Sequence, residues 1–277
     1  MFQKSLQSRR IASRLACTAS AIVLAVGLCS CQTSGISDIA DVTGSLGEKA
    51  DPKRSADPRR DVELAQARFK ANPKDAGAAL QYGKALRASG QRSQAVAVLE
   101  QATIVNPGNK PLLAGYGRAL ADNGNFQQAF EVLGRAHSPE DPDWRILSAQ
   151  GATLDQLGRF EEARQYYASA LRIMPDEPSV LSNLGLSYVL SKDLANAEET
   201  MRRAYDRAPA DQRVRANLAL AVGLQGHLAE AEKIVRADLP PDQAAANVTQ
   251  LKRLLARKQG ARAELERMPI AGAGRGN

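Results

Sequence analysis

Small and apolar positions recur along this chain at a fixed interval. Alanine stands at Ala95, Ala129, Ala163, Ala197 and Ala231, five times at a spacing of 34 residues. Glycine holds two further phases of the same period, Gly83, Gly117, Gly151 and Gly185 in one and Gly90, Gly124, Gly158 and Gly226 in the other. A last small-residue column reads Ala102, Ala136, Ala170 and Ala204. Bulky apolar residues (Leu99, Leu133, Tyr167, Met201 and Val235) follow four positions after the first alanine column. A period of this length marks a stacked array, in which each unit buries its apolar face only against its neighbours. Such a chain offers a long interaction surface rather than a catalytic pocket.

The residues at these phases resemble the tetratricopeptide repeat, two antiparallel helices per 34 residues. The resemblance implies an all-α, right-handed solenoid with full repeats at 76–109, 110–143, 144–177, 178–211 and 212–245. A residue without bulk at the eighth and twentieth positions lets the paired helices approach, so that the bulky column can interlock. Gly90, Gly124, Gly158 and Gly226 fall just after a first helix, where a left-handed cap suits glycine. Lys192 takes that place in the fourth unit, which predicts a strained or differently shaped turn. Pro107, Pro175 and Pro209 mark second-helix ends, because proline lacks the donor that an interior turn needs. The second unit has Asp141 between Pro139 and Pro142 instead, which predicts an irregular exit, and Pro240-Pro241 shortens the fifth. Asp61–Asn72 reads as half of a degenerate leading unit, and 242–257 as a capping helix.

The N-terminus reads as an export signal. Lys4, Arg9, Arg10 and Arg14 precede an apolar run, Leu15 to Leu28, that is shorter than the roughly 18 residues of a membrane span. The run closes on Leu28-Cys29-Ser30-Cys31-Gln32, which resembles the bacterial lipobox and makes Cys31 the lipidated residue. Cleavage over residues 1–30 removes Cys17 and Cys29, and acylation consumes Cys31, leaving no free thiol in an oxidising compartment. Several acyl chains together anchor stably, each buried methylene contributing about 0.8 kcal/mol. Gln32, rather than aspartate, places the chain at the outer membrane by resemblance to sorting in enterobacterial lipoproteins. Residues 31–60 read as a flexible tether of roughly 30 Å average span, and 258–277 as a disordered tail.

Charge and chemistry narrow the function classes. Loss of the four basic residues of the signal lowers the formal charge from +7 to +3, which does not support nucleic-acid binding in an exported protein. His137 and His227 have no Cys, His or carboxylate at metal-ligand spacing, and both read as solvated turn residues. No nucleophile elbow, phosphate loop or paired catalytic carboxylates appear. The reading is a non-catalytic protein with no cofactor and no metal. By the repeat resemblance, the first helix of each unit lines a binding groove through its second, fifth, sixth, ninth and twelfth positions. Projection gives Lys84, Arg87, Arg118, Arg145 and Ser148 early, then Leu186, Val189, Ala216 and Leu220, so the groove is basic at its start and apolar toward its end. Asn183 and Asn217 share the sixth position, where an amide either holds a peptide backbone or stitches neighbouring helices.

A closer resemblance covers about half of the mature chain. Ile146 to Gly151, Pro178 to Tyr188, Ala197 to Thr200 and Ala244 to Val248 look like the D component of the tight-adherence (Flp) pilus machine, an envelope lipoprotein. Gln250-Leu251-Lys252-Arg253 departs from the aromatic residues of that family. The likeness implies an accessory protein that binds partners, helps assemble or place the outer-membrane secretin, and turns nothing over. The alternative is a general envelope scaffold for outer-membrane protein insertion or for regulation of peptidoglycan synthesis.

Overall fold

The computed structural model describes residues 58–237 and Thr249, and every regular element among them is an α-helix. Cys31 with its signal, the tether up to residue 57, the tail and the expected capping helix (Thr249 apart, which is helical) lie outside the described residues. The helices are α1 (Pro58–Ala71), α2 (Ala76–Ala88), α3 (Arg92–Val105), α4 (Lys110–Asp122), α5 (Phe126–Gly134), α6 (Trp144–Gln156), α7 (Phe160–Ile173), α8 (Pro178–Leu190), α9 (Leu194–Arg207), α10 (Gln212–Leu224) and α11 (Leu228–Val235).

Local chemistry sets the boundaries of these helices. Asp75, Asn109, Asp143 and Asp211 each precede a first helix and accept a hydrogen bond from its first-turn amides, for example Arg145 N at 2.7 Å from Asp143 Oδ1. Each such cap stabilises a helix by about 0.5–2 kcal/mol. Glu177 holds the same place before α8 without a side-chain cap, and Pro178 there has no amide hydrogen to satisfy. Between paired helices the backbone turns left-handed, with φ between 74° and 95° at Gly90, Gly124, Gly158 and Gly226. Lys192 has φ 67°, so the fourth turn keeps its shape and carries the strain, about 1–2 kcal/mol. Helices α3, α7 and α9 stop two residues before Pro107, Pro175 and Pro209. In the second unit α5 ends early at Gly134, and a short antiparallel bridge between Ser138 and Asp141 carries the chain to α6.

The columns seen in sequence meet in space. A Cβ on Gly83 would lie 2.5 Å from Leu99 Cγ, one on Gly117 2.6 Å from Leu133 Cγ, and one on Gly185 2.5 Å from Met201 Cγ. No real Cβ sits so close, so glycine is what lets each bulky side chain of a second helix press against the backbone of the first. Ala95, Ala129, Ala163 and Ala197 are wholly buried beside these contacts.

Each second helix packs on its own first helix and on the first helix of the next unit. First helices also touch in succession, α2 to α4 to α6 to α8 to α10, whereas no two second helices touch among the described residues. The first helices therefore form one continuous layer with the second helices outside it. At the leading end α1 covers the stack: the Phe69 ring lies over Tyr82 at 5.6 Å and 29°, and Gln66 donates to the Tyr82 hydroxyl at 3.0 Å.

Candidate functional site

The layer of first helices carries a solvent-open depression of about 260 Å³, lined by Arg118, Trp144, Arg145, Ser148, Ala149, Ser179 and Asn183. Three successive first helices contribute: α4 gives Arg118, α6 gives Trp144 to Ala149, and α8 gives Ser179 and Asn183. Asp143 fixes the start of α6 and so aims its first turn at the depression. The Arg145 guanidinium lies 4.4 Å from the centre of the Trp144 ring, a cation–π geometry, and 3.9 Å from Asp143. One turn on, the Ser148 hydroxyl accepts from Asn183 Nδ2 at 3.1 Å. Four of the projected groove positions, Arg118, Arg145, Ser148 and Asn183, thus line one concavity.

Other projected positions are used differently. Arg87 is no groove contact: its side chain is 4% exposed, and its Nε lies 2.6 Å from Asp122 on α4. Removing one partner of a buried ion pair costs about 3–5 kcal/mol, so this pair is a rivet between the first two repeats. Val189 is likewise withdrawn from the groove, buried in the cluster of Met201, Leu218 and Val222. Leu186 and Leu220 are half-buried, Leu186 packing on the same cluster, and Lys84 is half-buried on α2. Asn183 stitches α8 to α6 through Ser148, whereas Asn217, 4% exposed, makes no side-chain hydrogen bond to a described residue.

Two polar features were not legible as such in the sequence. Asp155, on α6, is buried and accepts from Tyr167 Oη at 2.8 Å and from Ser187 Oγ at 2.7 Å. Burial pushes its carboxyl up to about 6, against the opposing pull of Ser187, Tyr167 and Arg164. Burial and the neighbouring Asp155 also push the Tyr167 phenol well above its ordinary value. This network joins α6, α7 and α8, and it is the internal bracing of the third repeat against the fourth. His137 is not a solvated turn residue: it is half-buried, its Nε2 is 2.9 Å from Gln150 Oε1, and its Nδ1 is buried without a partner among the described residues. His227 is exposed at the start of α11. Among the described residues no cluster of potential metal ligands occurs, and no helix is long and apolar enough to cross a membrane.

Residues 86–151 match one description of the tetratricopeptide repeat, and residues 148–212 match a second. The array is a tetratricopeptide-repeat solenoid. The crystal structure of PilW, described as a widely conserved type IV pilus biogenesis factor, matches at TM-score 0.60 and 20% identity, over 70% of this chain and 91% of that one. The APC/C hetero-tetramer Cut9–Hcn1 matches at TM-score 0.60 and 16% identity, over 75% of this chain but 40% of that one. TTC0263, a thermophilic tetratricopeptide protein of Thermus thermophilus, matches at TM-score 0.52 and 21% identity, over 58% of this chain and 88% of that one. At such identities the likeness is one of fold. No curated protein matches the sequence. Tetratricopeptide solenoids bind proteins, and in this one the depression spans the second, third and fourth repeats.

Proposed function

We propose that this protein is a non-catalytic lipoprotein of the bacterial outer membrane, anchored through Cys31, that captures a protein partner on its first-helix layer during assembly of a tight-adherence (Flp) pilus. One observation carries the binding part of this reading. Arg118, Arg145, Ser148 and Asn183, from three consecutive repeats, converge on a single solvent-open depression. Side chains that only solvate a surface have no reason to converge across repeats, whereas a receptor needs such spaced contacts on a rigid support. The pilus part rests on the sequence likeness over residues 144–248, and the fold likeness to PilW, a type IV pilus biogenesis factor, accords with it. The partner is the secretin or a component that places it, held by the depression and by the half-buried Leu186 and Leu220 beyond.

A photo-crosslinking amino acid at Ser179, in the depression, tests this in living cells. It should trap the secretin or another pilus-assembly component, whereas the same group at the exposed Gln165 on α7 should trap neither. Equal trapping from both positions would place the partner elsewhere on the molecule. Cys31→Ser should release the protein from the outer membrane and lower surface pili.

A further inference from the structure

We infer that the depression between α4, α6 and α8 is a seat for a carboxylate of the partner polypeptide. The inference rests on the groove reading above and adds the chemistry of what enters. Every kind of group that recognises a carboxylate lines this one place. Two guanidiniums, Arg118 and Arg145, lie at its edge, and an arginine fork fits a carboxylate with two parallel hydrogen bonds. Ser148 and Ser179 add hydroxyl donors, and Asn183 adds a carboxamide. The Ser148 oxygen already accepts from Asn183, which leaves its own O–H for an incoming acceptor.

Backbone fields add to this. Trp144 and Arg145 are the first two residues of α6, and Ser179 is the second residue of α8. The N-terminal ends of two helices therefore border the same concavity, and each carries roughly half a positive charge from the aligned peptide dipoles. Apolar surface completes the seat. Trp144 is 8% exposed, and its ring holds Arg145 in place, so the guanidinium arrives already oriented and loses less freedom on binding. Charge selects the ligand class. Arg118, Arg145 and Asp143 together carry a formal charge of +1, which matches one carboxylate better than a doubly charged phosphate.

Trp144 is the single tryptophan of the chain, so its emission reports occupancy of the seat directly. The protein is titrated with a short acetylated peptide ending in consecutive aspartates, with its neutral asparagine counterpart, and with inorganic phosphate. The aspartate peptide should change the Trp144 emission saturably and the asparagine peptide should not. Arg145→Gln and Arg118→Gln should each weaken the aspartate peptide about tenfold, while Arg172→Gln, the same charge change on the outer helix α7, should leave it unaltered. An amidated aspartate peptide that still binds identifies side-chain carboxylates as the source, and one that does not identifies the chain end. Either result supports the seat. Equal response to the asparagine peptide, indifference to Arg145→Gln, or tighter binding of phosphate or of anionic lipid vesicles overturns it. If the seat fails while crosslinking from Ser179 still traps the pilus component, the groove reading stands and only the carboxylate falls.

Discussion

Tyr167 donates its phenol hydrogen to the buried carboxylate of Asp155 at 2.8 Å, tying the outer helix of the third repeat to its inner helix. With Ser187 bonded to the other oxygen at 2.7 Å, one carboxyl group braces two repeats. Because burial raises Asp155 to about 6 from 3.8, the folded chain holds this proton more tightly than the unfolded chain does. The contribution to stability is therefore complete below about pH 4 and is lost as pH rises through about 6. A shift of this size corresponds to roughly 2–3 kcal/mol. Asp155→Asn should remove that slope: relative to wild type, the variant gains about 2 kcal/mol in going from pH 4 to pH 7. Urea denaturation of both proteins at the two pH values measures it, and an unchanged difference would show that Asp155 ionises as freely folded as unfolded.

The glycine column makes a ranked prediction. A Cβ on Gly151 would sit 2.8 Å and 2.9 Å from the Tyr167 ring and 3.1 Å from the Ala163 carbonyl oxygen. At Gly185 the nearest atoms, 2.5 Å and 3.0 Å away, belong to the flexible side chain of Met201. A rigid ring backed by main chain cannot give way as methionine can. Gly151→Ala should therefore lose about 1–3 kcal/mol from overpacking, while Gly185→Ala loses less, since alanine recovers up to about 1 kcal/mol of helix propensity at either site. Thermal midpoints in the reverse order would contradict this account of the column.

Lys192 marks a place where stability can be gained. Its left-handed backbone, φ 67°, matches that of Gly90, Gly124, Gly158 and Gly226 in the equivalent turns, and its side chain is exposed. Lys192→Gly should raise stability by about 1 kcal/mol, the relief of strain exceeding the added freedom of glycine in the unfolded chain. A lower denaturation midpoint would mean that the lysine side chain is itself a tether.

Periodicity made the repeat boundaries, the tight helix pair and the left-handed turns legible, because each depends on one residue type at one phase. The cap column Asp75, Asn109, Asp143 and Asp211 has the same period and was equally open to reading. Face projection did less well. It places a residue on the inner side of a first helix but says nothing of what the neighbouring helix brings to it. Arg87 therefore projects into the groove, while in the fold Asp122, 35 residues later, takes it up. Trp144 falls outside the projected positions and still walls the depression, since the start of α6 tilts it there. The Asp155 network joins residues 12 and 32 apart on three helices, a spacing with no local signature.

Asn183 and Asn217 occupy equivalent positions, and the structure separates their roles. Asn183 bonds to Ser148 across the repeat boundary, whereas Asn217 is buried with no side-chain hydrogen bond to a described residue. An amide with an internal partner contributes to stability, typically by about 0.5–1.5 kcal/mol, and an amide without one can offer its donors and acceptor to an incoming backbone. Asn183→Ala should therefore lower the thermal midpoint and, through the loosened edge of the depression, weaken partner capture modestly. Asn217→Ala should leave the midpoint nearly unaltered and weaken capture about tenfold, the consequence of losing roughly 1.4 kcal/mol at the interface. Both quantities must be measured on the same preparations, because a partly unfolded solenoid also binds poorly. A fall in stability for Asn217→Ala with affinity intact would assign both amides to stitching, and would confine recognition to the basic end of the layer.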